Sequence, residues 1–281
     1  MTNGLSRIQQ GISSLKPSEQ KAANYILSHP EEVLNMSIAS LSEASKVSEA
    51  TIIRMCRALN FTGYQALKLS LSASLNEPVS KDRKYKDISE NGNIADIMKA
   101  VSFNNLRSIE DTLNVLDVKE IEKAITAIDH ARKVDMYGVG ASAIIALDFE
   151  QKCKRINRWC QAFSDNHTQL TSAVHLTSQD VVLAVSYSGE TKEILESVRV
   201  AKNNGATIIS LTGFTKNSLQ RMADIRLYTS SQEKSIRSGA MASRIAQLNV
   251  IDILFTGIAS KNYEETAYYL DRTGDVVKNR K

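Results

Sequence analysis

The sequence is short of the residues that mark a secreted, membrane-spanning or metal-holding protein. Three cysteines in 281 residues, Cys56, Cys153 and Cys160, cannot all pair, and none forms a Cys-x-x-Cys. That excludes a disulfide scaffold and points to a reducing compartment. The opening MTNGLSRIQQ holds no apolar run that would serve as a secretory core. No stretch approaches the ~20 apolar residues that cross a bilayer. A cytoplasmic protein with no membrane partner is therefore expected. The four histidines, His29, His130, His167 and His175, do not cluster at metal-ligand spacing, so no metal site is expected.

A large excess of one charge is also missing. The net charge of +4 excludes an acidic tail protein and a histone-like polycation. Hydrophobic residues at 42% and charged residues at 23% are ordinary for globular chains, which excludes wholesale disorder. No internal repeat and no low-complexity tract is present. The length suits about two domains at roughly 100–200 residues each.

What is present falls into two halves. Residues 1–76 read as all helix. Leu5, Ile8, Ile12 and Leu15 recur at helical spacing, Pro17 suits a first helical turn, and Ala22, Ala23, Ile26 and Leu27 continue the stripe. Short helices follow over 37–45, 48–59 and 63–76. Residues 77–93 are polar and charged and read as a linker. Helices over 94–113 and 118–131 come next. From Lys133 the pattern alternates β-rich runs (VDMYGVG, RWCQAF, DVVLAVS, ATIISLT, ADIRLYT) with helical stretches over 143–155, 167–174, 192–203 and 218–222. Such alternation predicts a parallel sheet with helices on both faces. Helical patterns over 242–260 and 263–277 close the chain, so 94–281 reads as one α/β domain.

In the first half, SIASLSEASKVSEATIIRMCRALNF has helix-turn-helix form. Ser37 and Ser48 are candidate N-caps around a Lys46-Val47 turn. On the second helix Ile52, Met55, Cys56 and Leu59 share one face, and Ala50, Arg54, Arg57 and Ala58 the other, with Thr51 at its edge. Small residues let a helix sink into a major groove, and flanking arginines reach base edges or phosphates. Ser48, Ala50, Thr51, Arg54 and Arg57 are therefore candidate DNA contacts. A plain helical hairpin with solvated arginines is the competing reading. Up to residue 77, seven cations face six anions, so the arginines matter by placement rather than by bulk charge.

In the second half, Gly138-Val139-Gly140-Ala141-Ser142 follows the first strand and Ser186-Tyr187-Ser188-Gly189-Glu190-Thr191 the third. Each loop leads from a strand end into a helix N-terminus, where N–H groups and the dipole favour an anion. In a flavodoxin-like strand order those loops flank the switch point where ligands bind. Gly138, Gly140 and Ala143 also fit a dinucleotide fingerprint, with Asp165 as a late acidic partner. The competing reading is that both loops are tight turns only.

Together these segments resemble transcriptional regulators of the RpiR/MurR type, which join a helix-turn-helix domain to a sugar isomerase (SIS) domain. The resemblance rests on Ser-Glu-Ala-Thr-Ile-Ile-Arg (48–54), Leu-Asn-Phe-Thr-Gly-Tyr (59–64), the two loops above, and Ser238-Gly-Ala-Met-Ala-Ser-Arg244-Ile-Ala-Gln-Leu248. One departure is Asn60, where the family often has glycine; asparagine also tolerates the left-handed conformation of a helix end. The resemblance implies a flavodoxin-like SIS fold and a phosphosugar effector such as N-acetylmuramic acid 6-phosphate. It implies phosphate contacts at Gly140, Ser142, Ser186, Ser188 and Thr191. His167 and Glu233 are candidate sugar contacts, with Glu190 and Arg244 as further possibilities. It also implies a palindromic DNA operator bound by a dimer or tetramer, repression, no cofactor and no catalysis. The alternatives left open are a phosphosugar isomerase with Glu233 as general base, and a dinucleotide-dependent redox sensor using Gly140 and Asp165.

Overall fold

The computed structural model describes residues 4–12, 15–76, 93–230 and 240–278. The chain folds as two compact units, Met1–Val115 with Phe214–Lys216, and Leu116–Gly213 with Asn217–Lys281. Of the expected 77–93 linker only Asn93 is described. Glu233 and Ser238 also lie outside the described residues. No described helix is long and apolar enough to cross a membrane.

The first unit is helical: α1 (Gly4–Gly11), α2 (Pro17–Ser28), α3 (Pro30–Val33), α4 (Ile38–Ser45), α5 (Glu49–Ala58), α6 (Tyr64–Asn76) and α7 (Ile94–Leu113). The inward face of α5 is the one its spacing predicts. Ile52, Met55, Cys56 and Leu59 all lie in a core shared with Ile26 and Leu41. Burying each large aliphatic side chain there contributes about 1.5–3 kcal/mol. The expected capping serines are found at their posts. Ser37 Oγ accepts from Ser40 N at 3.0 Å and Ser48 Oγ from Thr51 N at 3.3 Å. Between the two helices Lys46 takes a left-handed conformation, φ 53°, and Asn60 does the same beyond α5, φ 61°. The small helix α3 was not legible as a helix because four residues carry no periodicity; Pro30 opens it by supplying a preset φ.

The second unit holds α8 (Val118–His130), β1 (Val134–Tyr137), α9 (Ala141–Arg155), β2 (Cys160–Phe163), α10 (Asn166–Ala173), β3 (Val181–Val185) and α11 (Lys192–Asn203). These are followed by β4 (Thr207–Gly213), α12 (Ser218–Met222), β5 (Ile225–Thr229), α13 (Met241–Lys261) and α14 (Tyr263–Lys278). The five strands form one parallel sheet in the order β2-β1-β3-β4-β5. β3 is buried throughout, and its side chains alternate between two cores. Val181, Leu183 and Val185 pack with Phe149, Val250 and Leu254, whereas Val182 and Ala184 pack with Ile194 and Val198. A strand covered on both faces reads as a continuous apolar run, as VVLAV does.

At the amino edge of the sheet, Arg132 Nε and Nη2 donate to the two Asp180 oxygens at 2.9 and 2.8 Å. Thr177 N adds a bond to the same carboxylate at 2.8 Å. This network closes the segments that lead into β1 and β3. The opposite, carboxyl edge carries the loops.

Candidate functional site

On α5, Ala50, Arg54 and Arg57 are exposed, with Arg54 at 60% of its side chain. Ser48 is exposed at the N-cap. Thr51, placed by the wheel at the edge of the outward face, is instead buried at 5% exposure. Its hydroxyl lies 2.9 Å from Ser48 Oγ and accepts from Arg54 Nη2 at 2.9 Å. Its neighbours explain the difference: the Ser48 hydroxyl and the Arg54 guanidinium both sit on the Thr51 side chain. Cys56 is a core residue, and burial pushes its thiol up to about 12.

The two loops of the second unit leave the carboxyl ends of neighbouring strands, because Tyr137 of β1 stands beside Ala184 of β3. Gly138 sits where a Cβ would lie 2.5 Å from Ser142 O, so only glycine lets the chain fold back this tightly. Gly140 caps α9 at φ 59°, ψ −125°, and nothing lies within 4 Å of where its Cβ would be. Its unhindered face lets an anion approach the amides of the first turn. Helix α9 consequently begins at Ala141, two residues before the periodicity predicted.

In the second loop Ser186 Oγ lies 2.9 Å from Thr191 Oγ1 and accepts from Gly189 N at 3.1 Å. Ser188 Oγ accepts from Glu190 N at 3.2 Å. Ser186 is buried, Ser188 exposed and Thr191 half-buried as the N-cap position of α11. The turn is held from below. Gly213 N donates to Tyr187 O at 2.9 Å, and Leu219 N to Gly189 O at 3.0 Å. The loop is a short run of hydroxyls and amides that leads into the N-terminus of α11.

Glu190 faces elsewhere. Its Oε1 accepts from Ser218 N at 2.7 Å, and the Ser218 bonds hold its carboxyl below the usual range. Asp165 is likewise engaged as the N-cap of α10. It accepts from Thr168 N at 3.0 Å and Thr168 Oγ1 at 2.6 Å, and those bonds lower its pKa. An Asp165 committed to its own helix weakens the dinucleotide alternative, which needs that carboxylate for a ribose. His167 is exposed on the first turn of α10, beyond the same edge of the sheet. Arg244 is half-buried on the first turn of α13. His29, His130 and His175 are exposed.

Sequence reasoning missed two supports. Asn217 is buried, donates to Thr212 Oγ1 at 3.1 Å and accepts from Gln220 N at 2.8 Å. It forms the floor beneath Gly189. Glu19 is the other, a 5% exposed carboxylate on α2 whose Oε1 lies 4.0 Å from Arg54 Nε. Both act across long separations in sequence, which no local pattern announces.

Comparison with known proteins places these sites in context. Residues 2–78 match the family described as helix-turn-helix domain, rpiR family, and residues 127–257 the SIS domain. An uncharacterized HTH-type transcriptional regulator of Caldanaerobacter subterraneus is 46% identical over 283 residues, covering 100% of this chain and 99% of the relative. The HTH-type transcriptional regulator HexR of Pseudomonas aeruginosa is 32% identical, covering 92% of this chain and 90% of HexR. Among solved structures, Vibrio vulnificus NanR complexed with ManNAc-6P aligns with TM-score 0.61 and 25% identity, covering 98% of each chain.

Proposed function

Because this chain belongs to the rpiR family of helix-turn-helix transcriptional regulators and carries a SIS domain, we propose that it senses a phosphosugar and controls genes for sugar or amino-sugar catabolism. The observation that carries the ligand half is the Ser186–Thr191 loop. It gathers three hydroxyls and a helix N-terminus beside the open Gly140 turn, and its own carboxylate, Glu190, is engaged by the Ser218 amide. A dianionic phosphate needs this kind of convergent neutral and positive donor set. Ser142, Ser186, Ser188 and Thr191 are assigned to the phosphate, with Gly140 giving close approach. His167 and Glu233 are assigned to the sugar. The likeness to NanR with its bound ManNAc-6P supports an amino-sugar 6-phosphate, of which N-acetylmuramic acid 6-phosphate is one.

Residues 1–76 are assigned to a palindromic operator through Ser48, Ala50, Arg54 and Arg57, with 94–281 as the effector domain. A symmetric oligomer, dimer or tetramer, matches two half-sites. The effector changes transcription by binding unequally to two arrangements of the paired domains. Repression relieved by the effector, in the cytoplasm, completes the reading. The relatives' names, all regulators, favour a sensor over an isomerase.

The test is a thermal-shift panel of sugar phosphates, free sugars and NAD on the purified protein. A ligand that binds only the folded state raises the melting temperature. One amino-sugar phosphate should shift it and its unphosphorylated sugar should not. A shift by NAD alone, or turnover of a phosphosugar that depends on Glu233, would overturn the sensor reading.

A further inference from the structure

A carboxylate almost never sits buried without a partner. Glu19 is 5% exposed on α2, and both of its oxygens are placed. Oε2 accepts from Lys16 N at 3.0 Å and closes the start of α2. Oε1 lies 4.0 Å from Arg54 Nε, on α5. The same guanidinium donates through Nη2 to Thr51 Oγ1 at 2.9 Å, and that oxygen lies 2.9 Å from Ser48 Oγ.

Nε and Nη2 form one edge of a guanidinium. Arg132 presents that same edge to Asp180. In Arg54 it is turned inward on Glu19 and Thr51, and neither contact uses Nη1. Yet 60% of the side chain remains exposed. Those two contacts leave the far edge, Nη1 with the second hydrogen of Nη2, for an acceptor outside the chain. A fixed two-donor edge matches guanine, whose O6 and N7 are paired acceptors in the major groove. A free arginine would instead sweep the phosphates, which carry no sequence.

We propose that Glu19 is a positioning residue: with Thr51 it locks Arg54 into the orientation that reads a guanine in each half-site. The proposal rests on the reading of α5 as the DNA-contacting helix. Glu19 itself touches no DNA.

Glu19→Gln is a clean probe, because glutamine keeps an oxygen for the Lys16 amide while removing the charge beside Arg54. The full-length protein, Glu19→Gln, Arg54→Ala, Arg54→Lys and the Glu19→Gln/Arg54→Ala pair are each offered a random double-stranded DNA library, and the selected sequences are read. Affinities are then measured on the selected duplex, on its single-base variants and on unrelated genomic DNA. The wild type should select one invariant guanine per half-site. Arg54→Ala should erase that preference, and Arg54→Lys should erase it while keeping most of the affinity for unrelated DNA. Glu19→Gln should lower discrimination at that same base pair alone, on the order of two- to fivefold for a tether to an exposed arginine. Its affinity for unrelated DNA should stay equal or rise, since a negative charge near phosphates is gone. In the Arg54→Ala background it should change no base preference. A uniform loss of specific and unrelated binding in Glu19→Gln would make Glu19 a scaffold residue only and overturn the proposal. So would retention of full guanine preference while Arg54→Ala loses it. If Arg54→Ala itself keeps every preference and its affinity, the reading of α5 falls, and the proposal with it.

Discussion

Gly189 stands so close over Asn217 that a Cβ on the glycine would lie 2.2 Å from the Asn217 carboxamide. The glycine is also left-handed, φ 64°. Conformation and space thus impose the same residue at the turn between Ser188 and Glu190. Asn217 in turn is held by Thr212 and Gln220, so the floor cannot retreat. Gly189→Ala should cost about 1–3 kcal/mol of local strain. Circular dichroism melts should show a lowered midpoint, and calorimetry with the effector a larger loss than Ser188→Ala produces in stability.

Ser188 is exposed and, among the described residues, its hydroxyl bonds only locally, accepting from Glu190 N. Ser188→Ala should therefore melt near the wild type, within about 0.5 kcal/mol, as surface changes do. It should nevertheless lose the effector response and keep operator affinity. A gel shift titrated with the effector separates the two.

Arg57 is exposed on α5 and makes no ion pair among the described residues, whereas Arg54 is tethered. Arg57→Ala should weaken binding to all DNA sequences alike and reduce the salt slope by about one unit, the signature of a phosphate contact. Affinity measured at several salt concentrations gives that slope directly.

Burial pushes the Asp180 carboxyl up, but the Arg132 guanidinium and the Thr177 N–H and hydroxyl outweigh it and hold the group below its usual pKa. A depressed carboxyl stabilises the fold fully above the unfolded value of about 3.9 and ceases to do so as pH falls through the folded value. Asp180→Asn should therefore destabilise by about 2 kcal/mol at pH 7. Below pH 3 its penalty should shrink. Urea titrations at pH 7 and pH 3 test the sign.

All three thiols are buried, and burial pushes Cys56 up to about 12. Cys160 is raised as well, by its contact with Cys153 and by burial. A thiol reagent at pH 8 should label none in the native protein and three after unfolding, since the thiolate is the reactive form. Fast labelling of one cysteine would reveal local opening.

The sequence made some features legible because they are local. Serine caps, the turn at Lys46, the amphipathic α5 and the five apolar runs of the sheet each depend on neighbours a few residues away. The two loops were legible as strand-to-helix turns for the same reason, since their glycines and serines are neighbours in the chain. The burial of Thr51 was not legible because a wheel gives position on the helix and not the side chains, Ser48 and Arg54, that fold over it. Glu19 and Asn217 escaped notice because their partners, Arg54 and Gly189, lie 35 and 28 positions away in the numbering. Glu190 looked like a ligand contact because its role, the Ser218 amide, is also far along the chain.

The strand order has a further consequence. β1 and β3 lie inside the sheet, while β2, four residues long, is one of its two edges. Amide protons of the two interior strands should exchange with solvent only as the whole unit unfolds, and those of the edge by smaller openings. The loops 138–142 and 186–191 stand on the interior pair and the turn 165–167 stands on the edge. The first two are therefore anchored in the slowest-exchanging part of the sheet, and the third hangs from a part that breathes.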